Sequence, residues 1–296
     1  MITRREMLRG SLALGGAALF APHLLSAVTI PENRRYTEQL GWIIGPQLYS
    51  FRMFPFDEAI KLTVACGTPS CEAYPGQRVS ANIDINIGPD LLRQENRDTL
   101  KRVKEILAEN GCTVHAFGVC PGDRRHFELT AELGASVLTT NHNPRDLESV
   151  NRLADEFEIN VGLHNHPPPS PYWDPEVVLG HLKNLGPRMG ACADTGHWLR
   201  SGLTPLECVK KLKGRIVSFH IKDVKKSDSA FDNDCLLGQG DVGITEILKE
   251  FATHEVGFKV PFSIEYEADW HNNQPKVAES VRFFDATARE IVRARS

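Results

Sequence analysis

A chain of 296 residues with 41% hydrophobic residues can bury the core of one α/β barrel or of two smaller domains. Its 34 basic and 38 acidic residues give a net charge of −4, which argues against a nucleic-acid partner and against a polybasic membrane patch. The composition therefore favours a small-molecule partner.

The first residues are predicted to form an export signal. Thr3-Arg4-Arg5-Glu6-Met7-Leu8-Arg9 precedes an apolar, Gly- and Ala-rich run from Ser11 to Ala21, an order that resembles a twin-arginine signal. We predict the signal over residues 1–27, a polar spacer over residues 28–41, and a periplasmic location. The run is shorter than the roughly 20 residues of a membrane span, so no stable span is expected after cleavage, and an uncleaved anchor is the alternative.

Strand-like apolar runs and helical patterns then alternate eight times. The predicted strands are Trp42 to Ser50, Ser70 to Tyr74, Thr113 to Val119, Ser136 to Thr140, Ile159 to Leu163, Met189 to Ala193, Ile216 to Phe219 and Val260 to Tyr266. The predicted helices are Phe56 to Cys66, Asp90 to Asn110, Arg124 to Leu133, Asp146 to Phe157, Pro175 to Leu185, Pro205 to Lys213, Ile244 to His254 and Pro275 to Ala294. Eight such units predict one α/β domain, a (β/α)8 TIM barrel over residues 42–296.

The glycine-containing segments do not favour an open nucleotide-binding sheet. Such a sheet would usually carry a Gly-rich phosphate loop after its first strand, and Gly45-Pro46-Gln47 is not one. Gly238-Gln239-Gly240 is predicted to be a tight turn before a helix.

The seven cysteines are an odd number without CxxC spacing, so most are predicted to be small core residues, although an oxidising location would permit one or two disulfides.

Four successive predicted strands, the fifth to the eighth, end in side chains that can bind metal. These residues are His164, Asp194, His220 and Glu265. A single Asp after a strand is usually a helix N-cap, and a single His is usually only hydrogen-bonded. Recurrence at four strand ends changes this expectation, because the carboxyl ends of barrel strands meet at one mouth. Mixed carboxylate and imidazole donors suit Mn²⁺, Co²⁺ or Zn²⁺, so the sequence predicts a divalent metal site.

Six segments in a fixed order resemble the xylose isomerase-like TIM-barrel superfamily, which includes sugar isomerases and epimerases. They are Gln47-Leu48-Tyr49-Ser50, His164-Asn165-His166, Asp194-Thr195-Gly196-His197, His220-Ile221-Lys222-Asp223, Leu237-Gly238-Gln239-Gly240-Asp241 and Ile264-Glu265-Tyr266-Glu267. The resemblance extends from about Ile43 to the C-terminus. Its His-Asn-His form is similar to the branch of sugar phosphate isomerases/epimerases, whose better-understood members act on 3-keto sugars and their glycosides.

The resemblance implies one divalent ion, most often Mn²⁺, with Co²⁺, Zn²⁺ and Mg²⁺ as alternatives. Its ligands by position are His164, Asp194, His220 and Glu265. His164 departs from the epimerases, which have a glutamate there that also acts as an acid or base. Proton transfer between two carboxylates across the sugar carbon is therefore in doubt.

The implied chemistry is proton removal next to a carbonyl of a sugar or keto-glycoside. The candidate catalytic residues are Glu265, His164, Lys222 and Glu267, and the candidate substrate-binding residues are His197, His166, Glu72, Tyr49 and His142. Either glutamate can be the general base, and Lys222 can neutralise an enolate. The structural alternatives are a salt bridge at the rim for Glu267, a solvated side chain for Lys222 and packing beside Trp198 for His197.

An isomerase or epimerase is the leading interpretation, and the alternative is a lyase that eliminates the aglycone from a 3-keto glycoside. An endonuclease with this fold would need further metal ligands and a basic DNA-binding face. A sugar-binding barrel without activity would be expected to have lost metal ligands. A homo-oligomer is compatible with the sequence, which does not specify the substrate or the metal.

Overall fold

Eight parallel strands form a nearly closed barrel. The computed structural model describes residues 34–226 and 233–296, so the predicted signal and the first part of the spacer lie outside the described residues. The barrel strands are β1 (Trp42–Pro46), β2 (Ser70–Ala73), β5 (Thr113–Cys120), β6 (Val137–Thr140), β7 (Asn160–His164), β8 (Met189–Asp194), β9 (Ile216–Ile221) and β12 (Val260–Ile264). Their order around the barrel is β1-β12-β9-β8-β7-β6-β5-β2, and a parallel bridge between Gln47 and Glu72 joins the two ends.

Helices connect the strands and cover the outside of the barrel. They are α1 (Arg34–Gln39), α2 (Phe56–Ala65), α3 (Arg97–Glu109), α4 (Arg124–Glu132), α5 (Leu147–Phe157), α6 (Pro175–Leu182), α7 (Thr195–Arg200), α8 (Pro205–Lys211), α9 (Ile244–Phe251) and α10 (Gln274–Arg295). Two antiparallel hairpins extend the loops, namely β3 (Arg78–Ser80) with β4 (Ile83–Asn86) and β10 (Asp223–Val224) with β11 (Asp234–Cys235). No helix in the described ranges combines the length and apolar character needed to cross a bilayer.

Strand β9 contributes side chains both to the hydrophobic core and to the barrel interior. Successive strand residues point to opposite faces, so Phe219 and His220 project to opposite sides. The ring of Phe219 stacks on that of Phe262 in β12 at 4.5 Å and contacts Phe251 of α9 at 4.7 Å. The apolar side chains therefore fill the layer between strands and helices, and the alternate polar side chains face the barrel interior.

The single TIM barrel and its eight strand and helix units are confirmed. Between the predicted strand Ser70 to Tyr74 and the predicted helix that begins at Asp90, the structure contains the β3-β4 hairpin, which was not predicted. The predicted helix from Asp90 to Asn110 is wrong at its start, because two 3₁₀ turns (Pro89–Leu92 and Gln94–Asn96) precede α3. The first strand is shorter than predicted: it ends at Pro46, and the next residues form a 3₁₀ turn capped by Gln47.

Candidate metal centre and active site

Four donor side chains from neighbouring strands converge inside the mouth of the barrel. His164 ends β7, Asp194 ends β8, His220 lies in β9 and Glu265 directly follows β12. One donor atom from each lies within 4.8 Å of the donor atoms of the other three. These side chains are buried, with the most exposed residue, Glu265, at 8%. Across β8 and β9 the parallel register pairs Asp194 directly with His220.

The donor atoms of this cluster fit a cation. Both ring nitrogens of His164, Oδ2 of Asp194 and Nδ1 of His220 lack a hydrogen-bond partner among the described residues. Unpaired buried polar atoms are costly, and a divalent ion would satisfy one ring nitrogen of His164 together with Oδ2 of Asp194 and Nδ1 of His220. Burial lowers the pKa of His164, so its ring is neutral and can donate a lone pair. The cluster is therefore a candidate divalent metal site.

Asp194 has two roles, one for each carboxylate oxygen. Its Oδ1 accepts the backbone N–H of His197 at 2.7 Å and so caps α7. Its Oδ2 faces the cluster, 3.6 Å from Nε2 of His164 and 3.7 Å from Nε2 of His197. The side-chain amide of Asn165 clamps the Asp194 backbone, accepting from its N–H at 2.8 Å and donating to its carbonyl at 2.9 Å.

Lys222 is fully buried among three carboxylates. Its Nζ lies 3.2 Å from Oε2 of Glu265, 3.3 Å from Oε2 of Glu267 and 3.9 Å from Oδ2 of Asp194. Burial alone would lower the pKa of Lys222, but the nearby carboxylates raise it above its ordinary value, so the ammonium group stays charged. The solvated alternative for Lys222 is therefore wrong.

Two neighbours in the Asp194-Thr195-Gly196-His197 motif place Lys222. Oγ1 of Thr195 donates to the carbonyl of Lys222 at 2.7 Å and accepts its N–H at 3.0 Å. A Cβ on Gly196 would lie 2.8 Å from Cγ of Lys222, so the glycine leaves room for the aliphatic part of that side chain. Sequence reasoning did not assign these functions, because they depend on contacts with another strand.

Glu267 lies at the edge of the cluster and is partly open to solvent. Its side chain is 25% exposed, compared with 9% for that of Glu265. The backbone N–H of Glu267 donates to Oδ2 of Asp234 at 2.8 Å, and the other oxygen of Asp234 binds Arg200. Burial raises the pKa of Glu267, whereas for Glu265 the effect of burial is outweighed by Lys222 and His220, which lower its pKa.

Glu72 lies beneath the centre. Its Oε2 is 3.0 Å from Nε2 of His220 and accepts a hydrogen bond from Oγ of Ser263 at 2.5 Å. The residue has no exposed surface. The polar end of β2 thus reaches across the barrel to a histidine, and the substrate contact predicted for Glu72 stays a prediction. The contact directs Nδ1 of His220 towards Glu265, 3.4 Å away.

The three other histidines predicted at the mouth have different surroundings. The half-buried ring of His166 lies 4.4 Å from that of His164 and 4.9 Å from that of His197. His164, His166 and His197 therefore form one cluster of rings. The ring of His142 is held in its loop, where Nδ1 accepts the N–H of Gly122 at 3.1 Å. His142 is thus oriented by the backbone, and its predicted substrate contact stays a prediction.

Tyr49 lies at the rim of the mouth. Its ring contacts those of Tyr74 at 5.3 Å and Trp270 at 6.2 Å, and its hydroxyl accepts a hydrogen bond from Arg52 at 2.6 Å. The guanidinium of Arg52 also lies 3.8 Å from the Trp270 ring centre. The substrate-binding role predicted for Tyr49 is compatible with this half-buried position.

The Gly238-Gln239-Gly240 segment is a structural turn. The Asp223 carboxylate accepts the N–H groups of Gly238 at 2.8 Å, Gly240 at 3.0 Å and Val242 at 3.3 Å. A Cβ on Gly240 would lie 2.1 Å from Oδ1 of Asp223, so only glycine fits there. The segment links the end of β9 to α9.

The fold and the cluster define a (β/α)8 barrel with a buried His/Asp/Glu candidate metal centre at the carboxyl ends of its strands. A sequence model of the family described as xylose isomerase-like TIM barrel matches residues 57–287. The chain belongs to that family.

Solved structures support the same fold. An uncharacterized protein from Parabacteroides distasonis has 26% sequence identity and a TM-score of 0.64, covering 82% of this chain and 98% of its own. A D-tagatose 3-epimerase-like protein has 16% identity and a TM-score of 0.65, covering 86% and 100%. The IolI protein with a bound zinc atom has 14% identity and a TM-score of 0.64, covering 84% and 98%. A search of curated proteins gave no match.

Proposed function

We propose that this protein is a divalent-metal-dependent sugar isomerase or epimerase that removes a proton next to a carbonyl. The observation that carries the proposal is the convergence of four buried donors beside Lys222 and the more open Glu267. Membership of the xylose isomerase-like family, and structural likeness to an epimerase-like protein, support an enzyme acting on a sugar.

His164, Asp194, His220 and Glu265 would hold the ion. Their two imidazoles and two carboxylates suit Mn²⁺ first, with Co²⁺, Zn²⁺ and Mg²⁺ as alternatives, and the zinc in the IolI structure supports a divalent ion in general. When bound, the ion would supply Lewis-acid stabilisation of the negative charge that develops on the substrate oxygens after proton removal.

The protein side chains provide the proton transfer and the orientation of the substrate. Oε2 of Glu267 is the favoured base, because its side chain reaches the open side of the cluster, whereas Glu265 is a ligand and contacts Lys222. Nζ of Lys222 neutralises charge on the substrate oxygen nearest to it. His166 and His197 lie beside His164 and can bind substrate hydroxyls.

The second carboxylate that epimerases of this family use is replaced by His164. An epimerase needs a second group to return the proton from the opposite face, and His166 is the available candidate in the cluster. This replacement favours one alternative function, the elimination of the aglycone from a 3-keto glycoside. Elimination requires one base and one proton donor to the leaving oxygen, which Glu267 and Lys222 can provide.

Proton NMR in D₂O with a 3-keto glucoside, combined with metal analysis of protein purified without chelators, tests the proposal. We expect about one divalent ion per chain and deuterium incorporation next to the carbonyl. The product then distinguishes an epimer from a released aglycone. A matched Asp194→Ala variant should lose both metal and exchange; wild-type protein with bound metal but no exchange on sugar or glycoside substrates would contradict the proposed function.

We also propose export through the twin-arginine pathway, on the basis of Arg4, Arg5 and the apolar run that follows them. Fractionation of cells that express the full chain tests this. Wild-type protein should be periplasmic and lack about 27 residues by mass, the length of the predicted signal. The double variant Arg4→Lys with Arg5→Lys should remain in the cytoplasm. Equal distribution of both proteins would contradict the proposal.

A further inference from the structure

Cys192 lies one side-chain layer below Asp194, a residue of the candidate metal centre. It precedes Asp194 by two residues in β8, so both side chains point into the barrel. The parallel register pairs Cys192 with His164 on one side and with Ser218 on the other. The thiol is fully buried and is surrounded by polar groups of the neighbouring strands.

The thiol forms a second donor set with the two histidines. One donor atom each of His164, Cys192 and His220 lie within 4.8 Å of one another. These histidines also belong to the oxygen-containing set with Asp194 and Glu265. Both nitrogens of His164 have no hydrogen-bond partner among the described residues, and the side chain of Cys192 interacts with that of His220, so the thiol already faces one of the two histidines.

The barrel interior provides space for this sulfur. A Cβ on Gly162 would lie 2.7 Å from Cβ of Cys192 and 2.9 Å from Oγ of Ser218, so β7 leaves the position open for these two side chains. A buried cysteine is often only a small core residue. Among the cysteines of the described ranges, Cys192 alone shares a cluster of three potential ligands, which distinguishes it from the others.

We propose that Cys192 is a further metal ligand, which with His164 and His220 forms a His₂Cys set on the inner side of the centre. This inference rests on the metal centre of the proposed function. As the metal–sulfur bond forms, the thiol proton leaves to the buffer. Thiolate is a soft donor, so this set shifts the preference of the site from Mn²⁺ towards Zn²⁺ or Co²⁺.

Cobalt spectroscopy on the full chain tests the proposal. Protein stripped of metal and loaded with Co²⁺ should show visible ligand-field bands together with a near-ultraviolet sulfur-to-cobalt charge-transfer band. Cys192→Ser should retain the visible bands and lose the charge-transfer band. Cys120→Ser is the matched control, because Cys120 is also a buried barrel cysteine but its Sγ donates to the Thr139 carbonyl. This control should retain both sets of bands.

X-ray absorption of the zinc-loaded wild-type protein gives a measurement that does not depend on the folding of a variant. We expect a sulfur neighbour at about 2.3 Å from zinc. A shell of only nitrogen and oxygen, or visible cobalt bands without a charge-transfer band, would overturn the role of Cys192 even if deuterium exchange continued. A sulfur band without deuterium exchange would support Cys192 and contradict the proposed reaction. Failure to bind cobalt or zinc would overturn both.

Discussion

Nε2 of His220 lies 3.0 Å from Oε2 of Glu72, a carboxylate that has no exposed surface. The contact joins β9 to β2 across the barrel interior and leaves Nδ1 of His220 for the candidate metal centre. Hydrogen bonding of a ligating histidine to a carboxylate fixes its ring orientation and increases its basicity as a ligand. We therefore expect Glu72 to act on metal binding through His220.

Glu72→Gln should weaken metal affinity by about 10- to 100-fold, the usual effect of losing a partner of a ligating histidine. Titration of the chelator-treated protein with Mn²⁺ and Zn²⁺ measures this change. Glu267→Gln is the matched control, because Glu267 is another carboxylate of the site but contacts Lys222 instead of His220; it should lower turnover and leave metal affinity unchanged. Unchanged affinity in Glu72→Gln would contradict the orienting role.

Lys222→Met should destabilise the metal-free protein by about 3–5 kcal/mol, because it removes the ammonium group that faces three buried or partly buried carboxylates. Added divalent metal should restore part of this loss by supplying positive charge. Urea unfolding with and without chelator measures both effects. Lys210→Met is the control: its ion pair with Glu207 is exposed, so a much smaller change than in Lys222→Met is expected. Equal losses in the two variants would contradict the prediction.

Gly196→Ala should displace Lys222 and lower kcat by about 100-fold, a loss that a displacement of about 1 Å near the reacting atoms can cause. The new Cβ would lie 2.8 Å from Cγ and 2.9 Å from Cδ of Lys222. Metal content should be retained, since Gly196 is not a ligand. Gly180→Ala, at a position with no atom within 4 Å of the added Cβ, should preserve kcat. Normal turnover in Gly196→Ala would show that the position of Lys222 is unimportant.

His115 should make the stability of the fold depend on pH. Burial lowers its pKa to about 4, whereas an unfolded histidine has a pKa of about 6.5. Between these values the unfolded chain binds more protons, so stability falls as the pH decreases. The loss from pH 6.5 to pH 5 should be about 1.6 kcal/mol from this residue. In the folded protein, Nδ1 of His115 is hydrogen-bonded to Oγ of Ser70 at 2.8 Å and Nε2 to Oγ of Ser263 at 3.1 Å.

Urea unfolding of wild type and His115→Gln at pH 6.5 and pH 5 measures this contribution. The difference between the two proteins should shrink as the pH is lowered, because the variant lacks the titrating group. His126→Gln is the control, because His126 lies on the outer helix α4, where its ring is hydrogen-bonded to Asp123. A pH dependence that is identical in wild type and His115→Gln would contradict the prediction.

The sequence by itself determined the number of strand and helix units and the four strand ends that carry side chains able to bind metal. These features depend on local periodicity and on the order of residues along the chain, which are present before any long-range contact forms. Their convergence at one mouth also followed, because parallel barrel strands bring their carboxyl ends together.

Only the tertiary structure decided how the side chains share the barrel interior. Glu72 and His220 are 148 residues apart in sequence, and their contact depends on the diameter and register of the closed barrel. The burial of Lys222 among carboxylates and the position of Cys192 beside His164 also depend on the packing of several strands. Local sequence patterns give the face on which a side chain lies, whereas the partner across the barrel is fixed only when all the strands are packed together.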